Sequence, residues 1–167
     1  KARRFKDYRV MFDQMSHHID AVTISTPDHM HFHPAMQAIQ AGKHVFCQKP
    51  LTHTVWEART LTEAARKAGV ATQMGNQGIS SPRMRQDAAI VRAGILGDIL
   101  EMHCWSDRPG GRWKQGIERP SGSPQVPDHI DWDLWIGCAP WRPYHPAYHP
   151  FAWRGFWDFG TGAIGDM

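Results

Sequence analysis

Three short apolar runs constrain this chain more than anything else in it. They are Asp20 to Ser25, Lys43 to Cys47 and Val70 to Met74, each closed by turn residues. Between them lie two segments with helical spacing. His31 to Ala41 carries Ala35, Met36, Ala38 and Ile39 on one face, with Pro34 in its first turn and Gly42 as its stop. Val55 to Ala68 carries Val55, Ala58, Leu61, Ala64, Ala65 and Ala68, and Gly69 ends it. Thr54 caps that helix, and Glu57, three residues on, completes a capping box. Strand, helix, strand, helix, strand with short connections predicts a parallel sheet with right-handed crossovers. The fold class is α/β, a doubly wound parallel sheet.

All three strands end in polar turns: Thr26-Pro27-Asp28, Gln48-Lys49-Pro50 and Gly75-Asn76-Gln77-Gly78. A doubly wound sheet binds its ligands at the carboxyl ends of its strands, so the three turns open on one crevice. A lysine after a strand is by itself most often a solvated one. Lys49 differs in its setting. Pro50 lacks an N–H, restricts Lys49 to extended conformations, and belongs to the one bond class that readily adopts cis. Asn76 and Gln77 offer amide donors and acceptors, and the flanking glycines permit close backbone approach. Asp28-His-Met-His-Phe-His33 has the HxHxH look of a zinc site. Pro27 and Asp28 end the strand, however, and on a helix residues i and i+2 point about 200° apart, too far to share one ion. Polar residues at a strand end, facing a ligand, is the preferred reading, with no metal.

Outside this unit, Arg3 to Met15 reads as a helix and Arg83 to Ala93 as another, stopped by Gly94. The character changes at Gly97, and the expected division is residues 1–97 and 98–167. Asp98 to Ser106 alternates and predicts a long strand, with Ile99, Glu101, His103 and Trp105 on one side. Arg108 to Ile130 is rich in Gly, Pro and Ser without periodicity, and loops that long are functional or disordered. Asp131 to Gly137 predicts a short helix. Trp141 to Trp157 is aromatic, and Phe159 to Gly165 is a turn into a helix.

Seven of the eight tryptophans lie after residue 100. Most should be core, but Trp and Tyr also line sugar sites, where ring faces pack on aromatics. Arg142, His145, His149, Arg154 and Asp158 interleave with them. A net charge of +3 with scattered basic residues gives no nucleic-acid footprint. No apolar run approaches a membrane span, and no h-region follows the basic start. Cys47, Cys104 and Cys138 form no CxxC and read as small buried hydrophobes. Serine-nucleophile motifs, a P-loop and GxGxxG are absent.

In combination the chain resembles the glucose–fructose oxidoreductase/inositol dehydrogenase (Gfo/Idh/MocA) family. The matching pieces are Ala21-Val-Thr-Ile-Ser-Thr-Pro-Asp-His-Met-His31, Ala41-Gly-Lys-His-Val-Phe-Cys-Gln-Lys-Pro-Leu51, Gly75-Asn-Gln77, Gly94-Ile-Leu-Gly-Asp98 and Phe156-Trp-Asp-Phe-Gly-Thr-Gly-Ala-Ile-Gly-Asp166. The resemblance implies the C-terminal half of a Rossmann domain for NAD or NADP, then the start of an α/β domain with a large open sheet. It implies small-molecule sugar or polyol substrates, and assembly of copies through that sheet. Lys49 matches the lysine of the family's Glu-Lys-Pro motif, beside the nicotinamide and the reacting hydroxyl, and Gln48 replaces the Glu. Asp166 matches the Asp of an Asp-x-x-x-His pair whose His would fall after Met167. Cofactor contacts are expected from Thr26, Pro27, His31, Gln48, Lys49, Pro50, Asn76 and Gln77. Substrate contacts are expected from Lys49, Trp153, Arg154 and Asp166, with Lys49 and Asp166 catalytic. The chain then reads as an internal piece of an enzyme roughly twice as long, inactive by itself. Three alternatives stay open: redox-assisted glycoside cleavage or epimerisation with bound NAD, a catalytically silent sugar-binding relative, and a metal hydrolase using His29, His31 and His33.

Overall fold

The structure, a computed structural model, describes residues 2–167. Helix α1 (Tyr8–Met15) is capped by the Asp7 side chain, which accepts from the Arg9 N–H. Strand β1 (Ala21–Ile24) leads to α2 (Phe32–Gln40), β2 (His44–Gln48), α3 (Val55–Ala68) and β3 (Thr72–Gly75). The sheet order is β1-β2-β3, with both pairs parallel. Ile24 sits opposite Cys47, and Val45 opposite Thr72. Gly42 and Gly69 take positive φ where the helices stop. Thr54 and Glu57 exchange the reciprocal bonds of a capping box.

Period-2 alternation decides which face is covered. Ile24, Val45 and Cys47 point into a core with Phe12, Ala35, Ala38, Ile39, Leu61 and Ala65. Fully burying one such leucine is worth about 1.5–3 kcal/mol. Thr23 and Gln73, on the other face, are exposed, and Phe46 is only partly covered. The strands are thus buried on one face among the described residues, rather than on both.

Helix α4 (Pro82–Arg92) starts at a Ser81 cap with Pro82 at its first position. The expected strand from Asp98 to Ser106 is not formed. A strand exists by pairing, and no described segment lies alongside. Leu100, Met102 and Trp105 are 90%, 81% and 87% exposed. The excursion after it is tied down locally. It contains the single turn α5 (Arg108–Gly111) and then buries Trp113 against Phe151.

A second core is aromatic. Helix α6 (Trp132–Ile136) supplies Trp132 and Ile136, and the following loops supply Tyr144, Tyr148, Trp153, Phe156 and Phe159. Trp132 stacks on Trp135 at 4.9 Å, and its indole N–H donates to the Arg142 carbonyl at 2.7 Å. Arg142 is buried, lies over Tyr148 and Phe159, and pairs with Asp158. Helix α7 (Gly162–Asp166) ends the chain's described structure.

Two composition-based expectations are corrected. Only Trp113, Trp132 and Trp153 are buried, while Trp56, Trp105, Trp141 and Trp157 are exposed. Cys47 is buried, which pushes its thiol up to about 12, but Cys104 and Cys138 are exposed.

Candidate active site

The turn after β1 fastens the two cores together. Asp28 is 4% exposed and accepts from the Thr161 N–H at 3.3 Å and the Thr161 hydroxyl at 3.2 Å. Burial raises its carboxyl above the ordinary range, against the opposing pull of His31 and those two bonds. The His29 N–H donates to the Phe159 carbonyl, and its Nε2 lies 3.1 Å from the Trp135 carbonyl. His31 is 1% exposed and holds the two strand ends together: Nε2 is 2.7 Å from the Thr26 carbonyl and Nδ1 is 2.7 Å from the Pro50 carbonyl. His33 is exposed on α2. The three histidines therefore diverge. Two of them face backbone carbonyls, and the geometric basis for a shared metal ion is gone. Among the described residues no group of three His, Cys, Asp or Glu is placed to hold one.

Between the strand ends and the aromatic core lies a cleft of about 400 Å³. Ser25, Thr26, Pro27, Gln48 and Lys49 form its sheet side. Trp135, His149, Phe151, Trp153 and Arg154 form the opposite wall, and Asp166 closes it. The Lys49–Pro50 bond is cis, as is His149–Pro150. Lys49 Nζ is 2.9 Å from Asp166 Oδ1 and also donates to the Asp166 backbone carbonyl. Arg154 Nε is 3.5 Å from the same Oδ1, and its guanidinium lies 4.3 Å above the Trp153 ring and 4.6 Å from Phe151. One carboxylate thus aims the lysine that follows strand β2, and a stacked arginine flanks it.

Gln48 and Gln77 exchange amide bonds at 2.7 and 3.4 Å across the ends of β2 and β3. Gly75 makes room for this. A Cβ there would lie 2.1 Å from Gln48 Oε1. Of the residues expected at the site, the cleft brings together Thr26, Pro27, Gln48, Lys49, Trp153, Arg154 and Asp166. His31 and Pro50 stand behind the strand ends, joined to each other. Asn76 and Gln77 are exposed at the end of β3, beside Gln48. Trp135 and Phe151 were not expected there, while Asp28 belongs to the first of the three polar turns and His149 to the polar residues that interleave with the aromatics. The only signal for Trp135 and Phe151 was the aromatic character of the sequence after residue 130.

Two family models match the chain. Residues 1–76 match a family described as an oxidoreductase family with an NAD-binding Rossmann fold, and residues 82–167 match its C-terminal α/β domain. The levoglucosan dehydrogenase of Pseudarthrobacter phenanthrenivorans is 26% identical over 77% of this chain and 36% of its own length. An inositol dehydrogenase homolog from Azotobacter vinelandii, solved with NADH and myo-inositol, is 35% identical with a TM-score of 0.54, covering 57% of this chain and 26% of its own. The WlbA dehydrogenase of Bordetella pertussis, solved with NADH and UDP-GlcNAcA, is 26% identical with a TM-score of 0.54, covering 59% and 28%. The chain spans about a third of the length of the curated relatives it matches.

Proposed function

Because the chain belongs to the Gfo/Idh/MocA family of oxidoreductases, we propose that it forms part of a longer NAD(P)-dependent dehydrogenase. That enzyme would move hydride between a secondary alcohol of a sugar or polyol and a nicotinamide. The observation that carries this reading is the Lys49–Asp166 pair at the carboxyl end of β2, inside a cleft with an aromatic far wall.

The donor set fits the nicotinamide end of the cofactor. Thr26 and Gln48 line the cleft at the first two strand ends, Gln48 with its amide braced by Gln77, and Asn76 is exposed at the third. NAD(P), when bound, accepts the hydride in the oxidative direction. The chain's own residues do the rest. Lys49 hydrogen-bonds the reacting hydroxyl and stabilises the negative charge that develops on its oxygen as the C–H bond breaks. Asp166 holds the ammonium in that position, and Arg154 steadies the carboxylate from its other side. Trp135 and Phe151 give the substrate an apolar surface, and the buried Trp153 holds Arg154 in place beside it. The hydroxyl proton passes to a base outside this sequence, as the family's Asp-x-x-x-His pattern implies. The division near residue 97 and assembly through an open sheet are parts of the same proposal.

No observation favours the glycoside-cleaving or silent alternatives. The test is to give the longer polypeptide NAD+ or NADP+ with a panel of sugars and polyols, and to follow reduced-nicotinamide absorbance. Reduction with at least one substrate is expected. No reduction and no cofactor binding would refute the proposal.

A further inference from the structure

The polar groups around the cleft differ in what they have left to offer. Asp28 is committed to Thr161. Gln48 is committed to Gln77. Lys49, Asp166 and Arg154 are committed to one another, and Arg154 Nη1 also donates to the Phe151 carbonyl at 3.1 Å. Ser25 and Thr26 belong to the sheet side, where the cofactor would lie. His149 is different. It lines the far wall and is half-buried, and it makes no hydrogen bond to any described residue. Its ring meets Trp135 edge-on at 6.1 Å. It is the uncommitted polar head on a wall it shares with Trp135, Phe151, Trp153 and the paired Arg154.

Resting on the dehydrogenase reading above, we propose that His149 is a substrate-contact residue: its imidazole hydrogen-bonds a hydroxyl of the sugar or polyol, while the neighbouring rings pack against the substrate's carbon skeleton. The chemistry is matched. A hydroxyl both donates and accepts, and a neutral imidazole does the same from its two nitrogens. Burial lowers His149 below the ordinary histidine range, and the nearby His129 lowers it further, which keeps the neutral ring. Aromatic faces supply most of the contact area, and one well-placed polar group supplies discrimination among hydroxyl patterns. Lys49 then serves the reacting hydroxyl and His149 a different one, so the pair orients the ring in the cleft.

The test uses the longer polypeptide and the panel member it turns over best, together with the set of its single-deoxy analogues. His149→Phe keeps an aromatic ring of similar volume and removes both nitrogens. The expected result is a KM raised about three- to tenfold, the loss of one neutral hydrogen bond, with a smaller change in kcat. One deoxy analogue should be disfavoured by wild type yet equal to the parent sugar in His149→Phe. Equal KM values and unchanged discrimination across all analogues would overturn the assignment. If wild type turns over nothing, the dehydrogenase reading fails separately, and His149 is judged by direct binding of myo-inositol and D-glucose through tryptophan fluorescence. Binding to wild type that weakens in His149→Phe supports the contact. Equal binding, or none to wild type, overturns it.

Discussion

Lowering the pH from 6.5 to 4 should weaken this fold through His29, and the size of the effect follows from its surroundings. The residue is 2% exposed, and the rings of Trp135 and Phe159 lie 5.5 and 5.2 Å from its own. Nε2 donates to the Trp135 carbonyl, which leaves Nδ1 as the unprotonated nitrogen, and Nδ1 has no partner. A second proton would create a buried N–H with nothing to receive it. Burial accordingly pushes His29 down to about 4 from 6.5. The unfolded chain takes up a proton across that window and the folded chain does not. Stability is fully present above pH 6.5 and is lost as pH falls toward 4, by roughly 3 kcal/mol at the limit. Asp28 acts in the opposite sense, since burial raises its carboxyl and the folded state keeps that proton longer. The measurement is therefore a difference. Urea midpoints of wild type and His29→Phe, at constant m, are compared between pH 7 and pH 4.5. Wild type should lose on the order of 2 kcal/mol more than the variant over that range, somewhat less than the full linkage. Parallel pH dependences would refute the reasoning, because they would place the charge change outside His29.

Two further substitutions test how the site is held. Asp28→Ala leaves the Thr161 N–H and hydroxyl without their acceptor, a loss of about 1–3 kcal/mol by urea unfolding. Asp28→Asn keeps an acceptor and should cost less than Ala; equal losses would show that the Thr161 bonds contribute nothing. Gly160→Ala puts a Cβ 2.6 Å from the Arg154 Cα and 2.7 Å from its carbonyl oxygen, both backbone atoms that cannot swing aside. About 1–3 kcal/mol of destabilisation is expected from that overpacking. An unchanged melting temperature would show that the turn before α7 is looser than its contacts.

The parallel sheet was readable because local and tertiary preferences agree in it. Helix α3 starts at Thr54, carries its capping box to Glu57 and stops at Gly69, as its sequence signals require. The strand ends followed from the same pattern, and Lys49 stood out because β2 had to end beside it. Elsewhere the local pattern lacked its partner. Asp98 to Ser106 alternates well, but alternation supplies faces and not the neighbouring strand that makes a sheet. The Asp28 to His33 run misleads in another way. Its spacing suggests a metal, while the structure uses Asp28, His29 and His31 as three separate ties, to Thr161, to the carbonyls of Phe159 and Trp135, and to those of Thr26 and Pro50. Those partners lie up to 133 residues away in sequence, beyond the reach of any local rule. The sequence marked His149 only as one of several polar residues among the aromatics. Its place in the cleft is set by the aromatic core around it rather than by its neighbours in the chain.

The most direct test of the central claim is Lys49→Met in the longer polypeptide, assayed with the best sugar or polyol found. Methionine keeps the length and apolar stem and removes the charge. The account predicts that kcat falls roughly 10²–10⁴-fold, as expected when an alkoxide-stabilising group is lost. NAD(P) affinity, read by quenching of tryptophan fluorescence, should stay within a few-fold. Turnover within a factor of about two of wild type, with intact folding, would remove Lys49 from the chemistry and with it the role assigned to its pair with Asp166.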